Sequence, residues 1–180
     1  LLELVRFYSS EKDGFVSLKE YKERMPEGQK AIYYLTGGNK DVLKSSPLLG
    51  AYKKKGYEVL LMADDIDEFV ISTIPTYEDL PLKAINKAGA MEDIETEEDK
   101  AKAEGKKAVA EKIKKALEGK VKDVVVSTRL TDSPSAVVVD ENDPTVQTQR
   151  ILKSMGAQDL PEILPILEIN PDSPIVGKIE

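Results

Sequence analysis

Residues that could bind a phosphate group stand together in the segment Gly37-Gly38-Asn39-Lys40. The segment follows an apolar run and precedes a stretch with helical spacing, which is where phosphate-binding loops lie in α/β proteins. Its spacing matches neither G-x-G-x-x-G nor G-x-x-x-x-G-K-[ST]. A turn from strand to helix, in which the glycines adopt positive φ, explains the segment more simply. Phosphate or nucleotide binding at this loop therefore stays open as an alternative function.

Carboxylates cluster at two places, and carboxylate oxygens are the ligands that Mg²⁺ and Ca²⁺ prefer. The first cluster consists of Asp64, Asp65, Asp67 and Glu68. It opens a stretch with helical spacing, where the helix dipole alone favours acidic side chains. The second cluster, at 140–143, has neither the glycine nor the closing glutamate of a calcium loop. We therefore expect no metal site in this chain.

The composition removes the commonest catalytic groups. The 180 residues include no Cys and no His, so the chain lacks disulfides, thiolate nucleophiles, imidazole bases and the usual zinc ligands. The formal charge of −7 argues against nucleic acid as a partner, because phosphate binding requires a basic surface. No apolar run approaches the ~20 residues of a membrane helix, and no basic-then-apolar leader opens the sequence. A cytoplasmic location without membrane contact is expected.

The elements that would position these side chains form an α/β layer in the first half of the chain. Two short apolar runs, 31–35 and 58–62, are rich in Tyr, Ile, Val and Leu and are typical of buried strands. The segment between them is long enough to connect two parallel neighbours. Pro47 divides that connection into two helical pieces, and Gly56 follows the second piece.

Helices and one further strand are predicted around this centre. An amphipathic helix opens the chain, with an apolar face of Leu1, Leu4, Val5 and Tyr8. A capping box at Ser17-Leu18-Lys19-Glu20 begins the next helix, which ends before Pro26. A third helix carries the stripe Ile66, Phe69, Val70 and Ile74. Residues 82–86 are predicted to form another strand of a mostly parallel sheet.

The composition changes near Met91, where we place a domain boundary. An acidic segment leads into a Lys- and Ala-rich helix with the apolar stripe Val109, Ile113, Ala116 and Leu117. Strands at 121–128 and 136–139 follow, and the pattern predicts an antiparallel connection between them. A helix at 145–155 and a last strand at 166–169 complete this part, and the tail after them shows no closing element. The predicted domains are therefore 1–91 and 92–180.

Several strings of residues, in order along the chain, resemble the heat-shock protein 90 family of molecular chaperones in its bacterial, HtpG-type form. In the first half they are SLKEYKERM, EGQKAIYYLT, KKKGYEVLLM and IDEF, at 17–25, 27–36, 53–62 and 66–69. In the second half they are VKDVV, STRLTDSP and LEINPDSP, at 121–125, 127–134 and 167–174. The resemblance covers nearly the whole chain and is weakest at 90–118.

The resemblance implies an α/β fragment of a longer protein. Residues 1–91 would be the small α/β/α layered part of the middle domain. Residues 92–180 would be a linker helix and a truncated α+β C-terminal domain, without its final helices. The family's ATP and Mg²⁺ site and its catalytic arginine would lie upstream of Leu1, and the helices that close its homodimer would lie beyond Glu180. We therefore expect no catalytic residue and no cofactor here, and a chain that is monomeric or weakly self-associating.

The resemblance also implies a partner, because members of the family hold unfolded or partly folded client proteins on exposed apolar side chains. The positions that match the family's client-binding positions are Glu68, Phe69, Ser72, Ile151, Leu152 and Met155. Phe69 stands where related bacterial chains have Trp. By spacing and base rates alone, the apolar members of this set would be core residues. Exposure of Phe69 and Met155 on one side of the molecule would favour the client surface.

The sequence is thus interpreted as a chaperone fragment without catalytic activity. In the whole protein it would bind clients and couple the ATPase end to the dimerisation end. Two alternatives stay open. One is a small phosphate- or nucleotide-binding α/β module that uses the loop at 37–40, and the other is a structural linker or dimerisation piece without a client surface.

Overall fold

A computed structural model describes residues 2–157 and 160–179, without the side chain of Ser72. The chain forms two compact units. The first comprises Leu1–Ser46, Tyr52–Ile85 and Pro144–Leu160, and the second comprises Pro47–Ala51, Asn86–Asp143 and Pro161–Glu180. Both units combine helices with a sheet, which confirms the predicted α/β class. The domain boundary near Met91 stays a prediction.

The first unit is built on a six-stranded sheet. Its strands are β1 (Phe7–Ser9), β2 (Phe15–Val16), β3 (Ile32–Thr36), β4 (Val59–Met62), β5 (Thr76–Tyr77) and β6 (Leu80–Ala84). They lie in the order β2-β1-β4-β3-β6-β5. The two apolar runs form β3 and β4, which are parallel neighbours with Tyr34 opposite Leu60, as predicted. β6 is also parallel to β3, whereas the pairings of β1 with β4, β1 with β2, and β5 with β6 are antiparallel.

The predicted amphipathic helix at the start of the chain is wrong. Residues 7–9 form β1, and Leu4, assigned to the apolar helical face, is 78% exposed. Alternate side chains Phe7 and Ser9 are buried against the sheet, which is the period of two expected of a strand. Backbone pairing with β4, far away in sequence, outweighs the local helical spacing.

The helices of the first unit follow their local sequence signals closely. Helix α1 (Leu18–Arg24) begins with the predicted capping box, in which the Glu20 amide donates to Ser17 Oγ at 3.2 Å and the Ser17 amide donates to Glu20 Oε2 at 2.7 Å. The β3–β4 connection contains α2 (Lys40–Lys44), a 3₁₀ turn at Pro47–Leu49 and α3 (Gly50–Lys54). Gly56, after α3, has the positive φ that a helix end requires.

Helix α4 (Asp65–Ser72) forms where it is predicted, but it buries a different face. Ile66 is 63% exposed, while Phe69, Val70 and Ile74 are half-buried. The buried apolar residue is Ile71, which joins a cluster with side chains from the sheet and α1. That cluster contains Phe7, Val16, Leu18, Tyr21, Ile32, Leu60, Met62, Ile71 and Tyr77. The predicted apolar stripe therefore does not define the core side of α4.

The second unit contains α5 (Glu97–Gly105), α6 (Lys107–Ala116) and three strands, β7 (Asp123–Val126), β8 (Ser135–Val138) and β9 (Ile166–Ile169). Lys106 separates α5 from α6, so the acidic and Lys-rich segments form two helices. Val109 and Ala110 of α6 pack on the sheet with Val124, Ile169 and Val176. The tail ends in a short helix, α8 (Pro174–Gly177), which buries Val176 and closes this core.

The predicted antiparallel pairing between the strands of residues 121–128 and 136–139 is wrong. The order in the second sheet is β7-β9-β8, with β9 parallel to β7 and antiparallel to β8. β9 is the central strand of this sheet. Its residue Glu168 provides a carboxylate partner for Arg129, which lies just after β7. Arg129 Nε donates to Glu168 Oε2 at 2.8 Å, and both side chains are buried. Helix α7 (Val146–Ser154), which lies between β8 and β9 in the sequence, belongs to the first unit.

In the part of the chain that the structure describes, no helix has the length and hydropathy needed to span a membrane.

Candidate functional site

Side chains of the loop at 37–40 make contacts within the protein. The Asn39 side chain accepts hydrogen bonds from the amides of Asp41 and Val42 at 2.8 and 3.2 Å and so caps α2. The ammonium group of Lys40 lies 4.8 Å from the centre of the Tyr8 ring. The two amides that a phosphate would use at the start of α2 therefore already donate to Asn39, and the lysine is directed towards the Tyr8 ring.

The predicted reason for the glycines in this loop is wrong. Neither Gly37 nor Gly38 has φ in the left-handed region. Space is the constraint at Gly37, because a Cβ there would lie 2.8 Å from Cδ2 of the buried Leu43. Gly37 therefore permits the close packing of α2 against the loop.

The two carboxylate clusters are also held by protein groups. At the start of α4 the Asp64 amide donates to Asp67 Oδ2 at 3.1 Å, and burial raises the pKa of Asp67. In the second cluster Lys122 Nζ lies 2.9 Å from Asp140 Oδ2 and 3.1 Å from Asp143 Oδ2. The hydrogen bond from Lys122 lowers the pKa of Asp140. Among residues 2–157 and 160–179 no group of three or more acidic side chains is arranged to hold a metal ion.

The residues matched to client-binding positions lie on two helices of the first unit, α4 and α7. These helices pack against each other. We call the apolar side chains on and beside these two helices the α4–α7 surface, namely Ile66, Phe69, Val146, Ile151, Leu152 and Met155. Sequence reasoning treated the two patches as parts of different domains, whereas the structure brings their helices together within one compact unit.

Polar side chains join the two helices. Thr145 caps α7 by accepting from the Thr148 amide at 3.2 Å, and its hydroxyl donates to Glu68 Oε1 at 2.5 Å. Gln147 Nε2 donates to Asp65 Oδ1. Thr145, Gln147 and Glu68 are buried. The packing of α7 on α4 therefore depends on hydrogen bonds to two carboxylates.

Glu68 is only partly satisfied in this arrangement. Its Oε1 receives the Thr145 hydroxyl, but no described residue lies within hydrogen-bond distance of the buried Oε2. The charge of Glu68 also affects the pKa of Tyr34 on strand β3. Burial and then the charge of Glu68 raise the pKa of Tyr34 to about 12.

The apolar residues of the pair face outwards to different degrees. Met155 is 74% exposed, and Ile66 and Val146 are exposed as well. Phe69, Ile151 and Leu152 are half-buried. Among the described side chains of α7, Gln147 is the fully buried one. Ile151, one turn further along the same face, is half-buried, whereas Val146 is exposed.

The six matched positions thus have different environments. Met155 is exposed, Phe69, Ile151 and Leu152 are half-buried, and Glu68 is buried. Ser72 is the last residue of α4, and its side chain lies outside the described part of the chain. Their role in client binding stays a prediction.

Sequence reasoning missed the residues that connect the helices, namely Asp65, Gln147, Thr145 and Tyr34. For Thr145 a signal existed, because a threonine directly before a helical stripe is a common N-cap. The burial of Gln147 has no local signal, since its partner Asp65 lies 82 positions away in the sequence.

The second unit contains a different polar site, a buried ion pair beside a cavity. Arg129 is 2% exposed and Glu168 is 6% exposed, and two guanidinium nitrogens donate to the two carboxylate oxygens. Ser127 Oγ also donates to Glu168 Oε2 at 2.9 Å. The pair lines a cavity of about 290 Å³ between residues 88–95 and the ends of β7 and β9. Because the two charges of the pair have each other as partners, the ion pair serves to hold β9 beside β7.

Comparison with known proteins identifies the family of the chain. The family model described as "Hsp90 protein" matches residues 1–180. The chain is 49% identical to "Chaperone protein HtpG" of Borrelia garinii subsp. bavariensis over 180 residues, which are all of this chain and 29% of that protein. It is 49% identical to the protein of the same name from Wolinella succinogenes, over 99% of this chain and 30% of that protein.

A third relative, "Chaperone protein HtpG" of Treponema denticola, is 45% identical over all of this chain and 29% of its own length. The chain therefore spans less than a third of the length of these relatives, as expected of a fragment. Because the family model covers every residue and the identity extends along the whole sequence, this chain belongs to the Hsp90 family of chaperones.

Proposed function

We propose that this chain is a client-binding part of an Hsp90 chaperone and that the α4–α7 surface holds the client. The observation that carries the proposal is the exposure of apolar side chains on and beside these helices, since Met155 at the end of α7 is 74% exposed and Ile66 and Val146 are exposed as well. Apolar side chains that served only the stability of the domain would be buried instead. The match of both helices to the client-binding positions of the family supports the same conclusion.

The physical basis is the burial of apolar area on a surface that fits many shapes. Each Å² of apolar area removed from water stabilises a complex by ~25 cal/mol. Methionine adapts its shape to different partners because it is unbranched and polarisable. Charged residues around the apolar positions, such as Asp65 and Lys153, keep the surface hydrated when no client is bound. An unfolded or partly folded chain with exposed apolar residues is therefore the class of partner that this surface suits.

The proposal assigns ATP hydrolysis and stable dimerisation to parts of the whole protein outside this chain. In the cytoplasm, this chain would bind the client and transmit motion between those parts. In its loop at 37–40 the Asn39 side chain caps α2 and the Lys40 ammonium group lies over the Tyr8 ring, which weakens the alternative of a nucleotide-binding module. Neither a catalytic residue nor a cofactor belongs to the proposal.

Fluorescence anisotropy with an unfolded probe tests client binding. The probe is reduced, carboxymethylated lactalbumin labelled with fluorescein. Met155→Ser should weaken its binding about 10- to 150-fold, which is the effect of losing the ~1.5–3 kcal/mol that burial of one large apolar side chain supplies. The melting temperature should barely change, because Met155 is exposed.

Leu4→Ser is the matched control, because Leu4 is 78% exposed and lies far from α4 and α7 in the sequence. It should leave probe binding unchanged. If Leu4→Ser weakened binding as much as Met155→Ser, the interaction would be nonspecific and the proposal would fail. If the parent chain did not bind the probe, the structural alternative without a client surface would be correct.

A further inference from the structure

Helix α7 is docked on α4, and none of its described apolar side chains is fully buried. Two hydrogen bonds between them run from Thr145 Oγ1 to Glu68 Oε1 at 2.5 Å and from Gln147 Nε2 to Asp65 Oδ1. The side chain that α7 buries is Gln147. When α7 leaves α4, water can replace both hydrogen bonds, and the apolar side chains of α7 that gain exposure, Ile151 and Leu152, are only half-buried beforehand.

Docking also has a cost that release removes. Glu68 is buried under α7, and no described residue is within hydrogen-bond distance of its Oε2. A buried carboxylate oxygen without a donor is unfavourable, because it loses the hydrogen bonds that water would make. Release of α7 returns this oxygen to solvent. The docked and released arrangements are therefore much closer in free energy than those of a helix that packs on an apolar core.

The chain on both sides of α7 can accommodate such a movement. The described residues 140–145, before the helix, and 155–157 and 160–165, after it, belong to no helix or strand. α7 can therefore separate from α4 without breaking a strand pairing or unwinding another helix. Local opening of this kind is characteristic of elements with few buried apolar contacts.

We propose that α7 is a releasable cover on α4 that regulates access to the client-binding surface. In the docked state Glu68 is inaccessible, and Phe69, Ile151 and Leu152 are half-buried. In the released state these side chains become available to a client. The inference rests on the proposed client-binding function, because it concerns the same surface.

Cross-linking tests the cover directly. The chain has no Cys, so the double variant Asp65→Cys with Gln147→Cys carries the only two thiols and reacts only at the contact between α4 and α7. A short bifunctional thiol reagent locks α7 on α4, and a monofunctional reagent caps the same two thiols without locking. Locking should weaken binding of the fluorescein-labelled carboxymethylated lactalbumin about tenfold relative to capping. Equal affinities of the locked and capped forms would overturn the proposal.

A second variant favours release without a reagent. Gln147→Ala removes the hydrogen bond to Asp65 and keeps a good helix former. Probe binding should strengthen about tenfold, the lower end of what one hydrogen bond to a charged group provides. Arg150→Ala is the control, since Arg150 lies exposed on the same helix. A loss of binding in Gln147→Ala with an unchanged circular dichroism spectrum would contradict the cover, because it would mean that docking creates the binding surface.

Hydrogen exchange separates the cover from client binding. Backbone amides of α7 should exchange at least about tenfold more slowly in the locked form than in the capped form. The reason is that exchange occurs when α7 leaves α4, and the cross-link prevents this movement. Equal exchange rates would overturn the cover even if the probe binds. Slower exchange in the locked form, with no probe binding by any variant, would support the cover and refute the proposed client function.

Discussion

Glu168 of the second unit and Glu68 of the first are both buried glutamates, 6% and 9% exposed, yet their surroundings differ. Glu168 accepts from two guanidinium nitrogens of Arg129 and from the hydroxyl of Ser127. Glu68 accepts one hydroxyl, that of Thr145, and its other oxygen has no partner among the described residues. The first carboxylate is fully satisfied, whereas the second is half satisfied.

The difference shows how buried charge can either fix or loosen a structure. A buried carboxylate with matched donors is costly to disturb, because removing one partner leaves an uncompensated charge. A buried carboxylate with a free oxygen has already lost hydration without full compensation. Glu168 therefore fixes the position of β9 beside β7, while Glu68 leaves the contact between α4 and α7 weak. The half-satisfied glutamate is the one that lies beside the proposed client surface.

The largest expected effect concerns the satisfied pair. Arg129→Met removes the charge opposite Glu168 and should destabilise the chain by about 3–5 kcal/mol, the usual cost of breaking a buried ion pair. Denaturation by urea measures the change. The double variant Arg129→Met with Glu168→Leu should recover a large part of the loss, because two apolar side chains replace the pair. If the double variant were as unstable as the single one, the loss would arise elsewhere, for example from the bond of Arg129 to the Lys87 carbonyl.

The elements whose signals are local could be predicted from the sequence. The apolar runs at 31–35 and 58–62 become β3 and β4, and the capping box at Ser17 starts α1. The helix predicted at 145–155 begins at its cap, Thr145. In each case neighbouring residues supply the stabilising contacts, so the pattern contains the necessary information.

Elements that depend on distant partners could not be predicted. Residues 7–9 have helical spacing but form β1, because β4 provides a strand to pair with. β9 lies between β7 and β8, and its Glu168 accepts from Arg129, 39 positions away in the sequence. The candidate site has the same character. The positions on α4 and α7 were found through their resemblance to the family, but the contact of Thr145 with Glu68 joins residues 77 positions apart.

An intermediate effect is expected when the two glutamates receive the same substitution. Glu168→Gln should destabilise the chain by about 2–3 kcal/mol, because the charge-assisted bonds to Arg129 are lost. Glu68→Gln should change stability by less than about 1 kcal/mol, since the new amide can still accept from Thr145 and no buried charge remains. Urea denaturation of both variants makes the comparison. Equal destabilisation would contradict it, because Glu68 would then be as well satisfied as Glu168.

The smallest expected effect is a shift in the titration of Tyr34. Burial first, and the charge of Glu68 second, raise the pKa of this tyrosine from its ordinary value of 10.0 to about 12. A raised folded pKa means that the folded state holds the phenolic proton more tightly, so this contribution to stability is complete below pH 10. It is lost as the pH rises from 10 towards 12.

Tyr34→Phe should therefore make unfolding less dependent on pH in that range. Glu68→Gln removes only the second cause, and it should lower the pKa of Tyr34 while leaving it above 10.0, because the side chain stays buried. Ultraviolet absorbance of tyrosinate measures the titration, and the difference from Tyr34→Phe assigns the signal to this residue. An unchanged pKa in Glu68→Gln would mean that Glu68 does not act on Tyr34 as a buried charge, and the contrast with Glu168 would then be limited to the hydrogen bonds.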